Sequence, residues 1–237
     1  MKGLKAILII LVIFSFIFVG CKSSKVNDSN DKSISVLRDL TIQVDKTYLG
    51  PDGKNKIINV DSIADSKYSQ DLKPIFDDSE EIIKGTVKKI TYTSFKGIAW
   101  TKVDILISDS YKGNLKIGDL VSVFMIGGYM KLTDHIDYHN DKFRFSKLSE
   151  NEINNTVIKE TNNGMPFQTF GNDFIYCLVT TPAFSPLPKD SYERLSPAGE
   201  LYIDNNGDFI QDYYNEGKKT SYNFSIEEIK GKIRSSE

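Results

Sequence analysis

A mainly β domain is predicted by three features of the chain. Glu81–Tyr92 alternates through Ile83, Gly85 and Val87, and Ala99–Ser108 through Val103, Ile105 and Ile107, the period of a half-buried strand. Asp119–Ile126 and Phe174–Val179 are apolar on both faces, which predicts central strands. Gly113, Gly118 and the pair Gly127-Gly128 punctuate these segments, whereas helix signals are confined to two short stretches.

The first 21 residues read as an address. Lys2 and Lys5 precede Ala6–Val19, apolar throughout except for Ser15. A membrane-spanning helix needs about 20 apolar residues, so a signal peptide over residues 1–20 is predicted. Residues 21–40 follow as a tether of Lys, Ser, Asn and Asp with little to bury. Fourteen such residues (22–35) reach roughly 20 Å.

Next comes a predicted N-terminal strand pair over 41–68. Thr41–Tyr48 runs to the turn Gly50-Pro51-Asp52-Gly53, and Lys56–Val60 returns. Asp71 is placed to cap a short helix Leu72–Asp77, with Pro74 tolerated in its first turn. The sheet domain is predicted over 69–214, with a polar insertion at about 129–165. Leu201–Ile203 and Phe209–Gln211 flank Asp204-Asn205-Asn206-Gly207-Asp208, a hairpin turn by composition. Residues 215–237 are predicted as a C-terminal helical segment, opened by the capping box Ser225–Glu228 and running to about Arg234.

Composition excludes several classes. Lys plus Arg number 30 against 32 for Asp plus Glu, which gives no general electrostatic case for nucleic acid. Two Cys exclude a disulfide framework and a Cys-rich zinc module. Cys177 lies in an apolar run and reads as a small buried hydrophobe. Nucleotide-loop, dinucleotide and nucleophile-elbow motifs are lacking. Ser29-Asn-Asp-Lys32 matches a penicillin-binding pattern but falls in the tether. Asp204, Asn206 and Asp208 mimic the start of a calcium loop, yet Phe209 and Asn215 stand where Gly and Glu are needed.

Two candidate sites remain. His135 and His139, at i and i+4, share a helical face and could hold a divalent metal with a nearby carboxylate; alternatively they are solvated residues of the insertion. No cofactor is expected. Tyr92, Phe95 and Trp100, near the hairpin joining the first two sheet strands, are either core residues or a platform for stacking a ligand.

The run Phe18-Val19-Gly20-Cys21 resembles the lipobox of bacterial lipoproteins. The resemblance implies a diacylglyceryl group on the Cys21 thiol and cleavage just before it, leaving a mature chain of net charge −4. Two acyl chains anchor stably where one does not. Ser79–Val87, Val103–Ile107, Tyr111–Gly113, Gly118-Asp119, Gly127-Gly128, Phe170-Gly171 and Phe174–Leu178 resemble, in that order, segments of small Firmicute (Gram-positive) surface lipoproteins. The order is also similar to that of netrin-like domains, which are OB-type β-barrels. The resemblance covers roughly residues 70–212 and implies an OB-like antiparallel barrel on the extracytoplasmic face of the cell membrane.

The expected function is therefore that of a non-catalytic, membrane-anchored protein with a binding or accessory role toward a cell-surface protein or glycan. The alternatives are a protease inhibitor of netrin-like type and a metal- or glycan-binding accessory domain. Against the inhibitor, Cys21 stands about 50 residues ahead of the predicted barrel, and the disulfides of that family are missing. Replacing Cys21 by Ala is predicted to abolish partition of the protein into detergent on phase separation. An unmodified Cys21 thiol in membrane-bound mature protein, read by mass spectrometry, would contradict this.

Overall fold

A computed structural model describes residues 43–44, 55–62, 68, 70–162, 164–165, 168, 173–183, 185–189, 191–215 and 218–236. All belong to one compact unit, Asp39–Glu237. The signal peptide, Cys21 and the tether lie outside the described residues, as does the turn at 50–53. No described helix is long and apolar enough to cross a membrane.

The fold is mainly β, built on a large sheet. Two long strands, β3 (Glu81–Phe95) and β4 (Ile98–Lys112), form its spine as an antiparallel hairpin. Their tip is the two-residue turn Lys96-Gly97, with φ of 50° and 67°. Positive φ at both positions is what a type I′ hairpin requires. β5 (Leu120–Ile126) pairs with β4, and β8 (Asp173–Thr180) with β3. β9 (Tyr192–Arg194) joins β5 in parallel and β8 in antiparallel. The pairings therefore close a ring in the order β3-β4-β5-β9-β8-β3. The two segments read as apolar on both faces, β5 and β8, are paired on both edges, as expected.

Ile83, Val87, Val103, Ile105, Val121, Val123, Tyr176 and Leu178 form one buried cluster on a shared face of the ring strands. A second cluster includes Ile82, Ile175 and Cys177 together with residues of two helices. These are α1 (Leu72–Asp78), capped by Asp71 as expected, and the terminal helix at Ile226–Arg234. Cys177 is fully buried, and its thiol is pushed up to about 12 by burial. β10 (Leu201–Ile203) and β11 (Phe209–Asn215) flank the predicted turn, in which Asp204 accepts from the amides of Asn206 and Asp208.

Three expectations are corrected. Among the described residues, the N-terminal strands do not pair with each other. β1 (Gln43–Val44) lies parallel to Lys89-Ile90 of β3, and β2 (Lys56–Ser62) lies parallel to β7 (Thr156–Asn162) in a separate sheet. A lone hairpin is marginal in water; in the second sheet, Ile58 and Val60 cover Met130 and Ile158.

The insertion is not a polar loop. It folds as β6 (Gly128–Lys131), α2 (Leu132–His139), a 3-10 turn at Phe143–Phe145, α3 (Glu150–Asn154) and β7. Its core of Ala99, Met130, Leu132, Ile136 and Ile158 includes Ala99 of the ring.

Residues 215–237 are not helical throughout. β12 (Lys218–Phe224) first returns along β11 as an exposed edge strand carrying two lysines, which discourages pairing with other chains. Then α4 (Ile226–Arg234) begins at the predicted capping box.

Phe124 is 4% exposed, packed with Trp100 and Leu187, whereas Tyr138 of the insertion is 55% exposed. Phe124→Ala is predicted to cost about 3–5 kcal/mol and Ile136→Ala about 2–5 kcal/mol. Tyr138→Ala should stay within about 0.5 kcal/mol. Equilibrium urea unfolding checks all three, and an unaffected Ile136 variant would return the insertion to a surface loop.

Candidate functional site

The buried carboxylate of Glu160, on β7, accepts the amide of Ala99 in β4 at 2.8 Å and the Ser62 hydroxyl of β2. Gly127 donates its amide to the Ala99 carbonyl at 2.9 Å. These bonds set the second sheet against the hairpin in a fixed register. Two residues further along each strand, Thr101 and Asn162 then face a common cleft. A Cβ on Gly128 would meet Thr101 Oγ1 at 2.8 Å and the Trp100 carbonyl at 3.2 Å, so this approach requires glycine.

The cleft is a small, solvent-open recess lined by Thr101, Met125, Ile126, Asn162, Met165, Gln168 and Arg194. Met125, Ile126 and Met165 give it an apolar wall; thioethers adapt to varied shapes. The polar groups converge from four segments. Thr101 donates to the Gly127 carbonyl at 2.7 Å. Asn162 is 8% exposed, and its Oδ1 has no hydrogen-bond partner among the described residues. Buried acceptors are rarely left unpaired without a reason.

Beneath the wall lies an ion pair. Arg194 Nη1 donates to Glu200 Oε1 at 2.7 Å, with both side chains more than nine-tenths buried. Gln168 donates to the other carboxylate oxygen, and the hydroxyl of the buried Tyr176 donates to Gln168 Oε1 at 3.3 Å. Burial raises the Glu200 carboxyl above the usual range, opposed by the Arg194 guanidinium and the Gln168 amide. Burial likewise holds the Tyr176 hydroxyl protonated. With both oxygens engaged, Glu200 serves to hold Arg194 and Gln168 in place.

Of the aromatic trio, Trp100 is buried, while Tyr92 and Phe95 are partly exposed. Trp100 is 6% exposed, buried with Phe124 and Leu187, and its indole N–H has no partner among the described residues. Phe95 leans on that group, with its ring 6.2 Å from Phe124. Tyr92 packs with the ring cluster and meets Tyr129 edge-on at 4.9 Å.

His135 and His139 do share a face of α2, with ring centroids 4.5 Å apart. Among the described residues, no three His, Cys, Asp or Glu side chains converge as a metal cluster. Burial, then the neighbouring His139, lowers the His135 pKa. Sequence reasoning missed the cleft residues Thr101, Asn162, Gln168 and Arg194. They form no motif, and only their contacts across the fold bring them together.

Comparison with protein-family models, curated proteins and solved structures finds no match to this chain.

Removing Arg194 leaves the Glu200 charge buried and unpaired. Arg194→Met is predicted to destabilise the protein by about 3–5 kcal/mol at neutral pH. Glu200 has a raised folded-state pKa, so its contribution is fully present below its unfolded pKa and is lost as pH rises through the folded value. The variant raises that value further, so its deficit should shrink as pH falls. Urea unfolding at acid and neutral pH checks this, and a deficit that grows on acidification would contradict it.

Proposed function

We propose that this chain is a non-catalytic, lipid-anchored protein of the extracytoplasmic face that binds its partner at the Thr101–Asn162–Arg194 cleft. The anchoring half rests on residues 1–21, where a basic start and a 14-residue apolar run end at Gly20-Cys21. The binding half rests on the cleft. An apolar wall with a few convergent polar groups is the usual character of a binding site. The buried carboxyl of Glu200 is engaged in holding Arg194 and Gln168.

The ring supports an OB-like reading. Numbered along the chain, its strands pair as first-second-third-fifth-fourth-first, with third and fifth parallel. That is the arrangement expected of a five-stranded OB-type domain, which binds extended polymers along one face. The proposed partner is a cell-surface protein or glycan rather than a nucleic acid, since the chain after residue 20 carries a net charge of −4.

The observation that carries the proposal is the unpaired, buried Asn162 acceptor beside the partly exposed Ile126. A photo-crosslinking residue at Ile126, in full-length protein on intact cells, is predicted to give a discrete adduct. The same residue at Ile117, which is 65% exposed but lines no part of the cleft, should give none. Equal labelling at the two positions, or none at Ile126, would refute the proposal.

A further inference from the structure

A second feature, independent of the cleft, lies where the β3–β4 hairpin tip meets α2. The tip is pressed hard against the helix. A Cβ on Gly97 would meet His139 Nε2 at 2.7 Å and Tyr138 Cδ1 at 2.9 Å. The Gly97 carbonyl therefore reaches the histidine face. It lies 3.3 Å from His139 Nε2, and the His135 ring stands with its centroid 4.5 Å from that of His139. A separation of 3.3 Å is long for N–H···O, whose usual length is about 2.9–3.0 Å. Two donors on a tetrahedral ion with bonds of about 2.0–2.1 Å stand about 3.3–3.4 Å apart.

We infer that His135, His139 and the Gly97 carbonyl form an open three-donor site for a borderline divalent cation, foremost zinc. The fourth position is left to water or to an incoming ligand. Imidazole nitrogens suit zinc, copper and nickel, while two histidines and a carbonyl offer too few hard oxygens for calcium. The rings need little rearrangement, since they already stand one turn apart on one face.

The surroundings set the strength of the site. Asp134 is held by the Ser94 hydroxyl at 2.7 Å, which fixes α2 to the hairpin rather than adding a ligand. Arg144, 67% exposed and 4.0 Å from Asp141, places a positive charge nearby that opposes the cation. His135 Nδ1 has no acceptor among the described residues, so the ring lacks the outer partner that strengthens metal-bound histidines. The site is therefore exchangeable rather than structural. When filled, it bolts the ring's hairpin to the second sheet and raises thermal stability in proportion to occupancy.

The test uses untagged full-length protein in mild detergent, stripped with chelator and titrated calorimetrically with zinc chloride. One zinc per chain is expected. His135→Ala and His139→Ala should each weaken binding by at least about tenfold. Arg144→Glu should tighten it, a gain that no folding defect can imitate. Asn162→Ala, in the cleft, should leave zinc binding unchanged, so this test and that of the cleft fail separately. Cobalt bound in place of zinc should give the intense visible bands of a four-coordinate ion. Absence of saturable uptake, equal uptake by both histidine variants, weaker binding by Arg144→Glu or a six-coordinate cobalt spectrum would each overturn the inference.

Discussion

The placement of the second sheet depends on one buried carboxylate. Glu160 is 8% exposed, and it accepts from the Ala99 amide of the ring hairpin and from Ser62 of the strand beside it. A buried carboxylate is tolerable only when its oxygens are satisfied. Here the donors come from two other strands, so the charge can be satisfied only in one arrangement of the three. This converts a cost of burial into a condition on geometry. If the second sheet slipped by one residue, Glu160 would turn to the opposite face and leave the Ala99 amide unpaired.

The cleft and the histidine face both follow from that condition. Asn162 lies two residues beyond Glu160, and Thr101 two beyond Ala99, so the same register faces them across the cleft. At the other end of the hairpin, Gly97 meets α2, which leads out of the second sheet. The ring supplies rigid strands, the second sheet supplies Asn162, and the buried Arg194–Glu200 pair fixes the remaining polar wall. Truncating either charge would leave the other stranded, so the pair specifies position more than it adds stability.

The ring was largely legible in the sequence because its information is local. Alternation marked β3 and β4, double-faced apolarity marked β5 and β8, and the Asp71 and Ser225 caps marked the two flanking helices. The second sheet was not legible. Its apolar residues, Met130, Leu132, Ile136 and Ile158, are spread thinly through a polar stretch. They become a core only when β2 arrives from far along the chain; the Ser62–Glu160 bond spans 98 residues. The exposed β12 carries no apolar run to declare it. Of the candidate site residues, the helical spacing of His135 and His139 was readable, but not the Gly97 carbonyl facing them. For the aromatic trio, strand position does not reveal which face a ring covers: Trp100 is buried, and Tyr92 and Phe95 pack partly exposed against neighbouring clusters.

The most direct test of the role given to Glu160 is native-state hydrogen exchange on full-length Glu160→Ala against wild type. Exchange of the Ala99 amide, and of amides across β2, β6 and β7, is predicted to accelerate together. The β11–β12 hairpin, which makes no contact through Glu160, should keep its protection. Loss of protection spread evenly over both regions, or an Ala99 amide as protected in the variant as in wild type, would contradict this account.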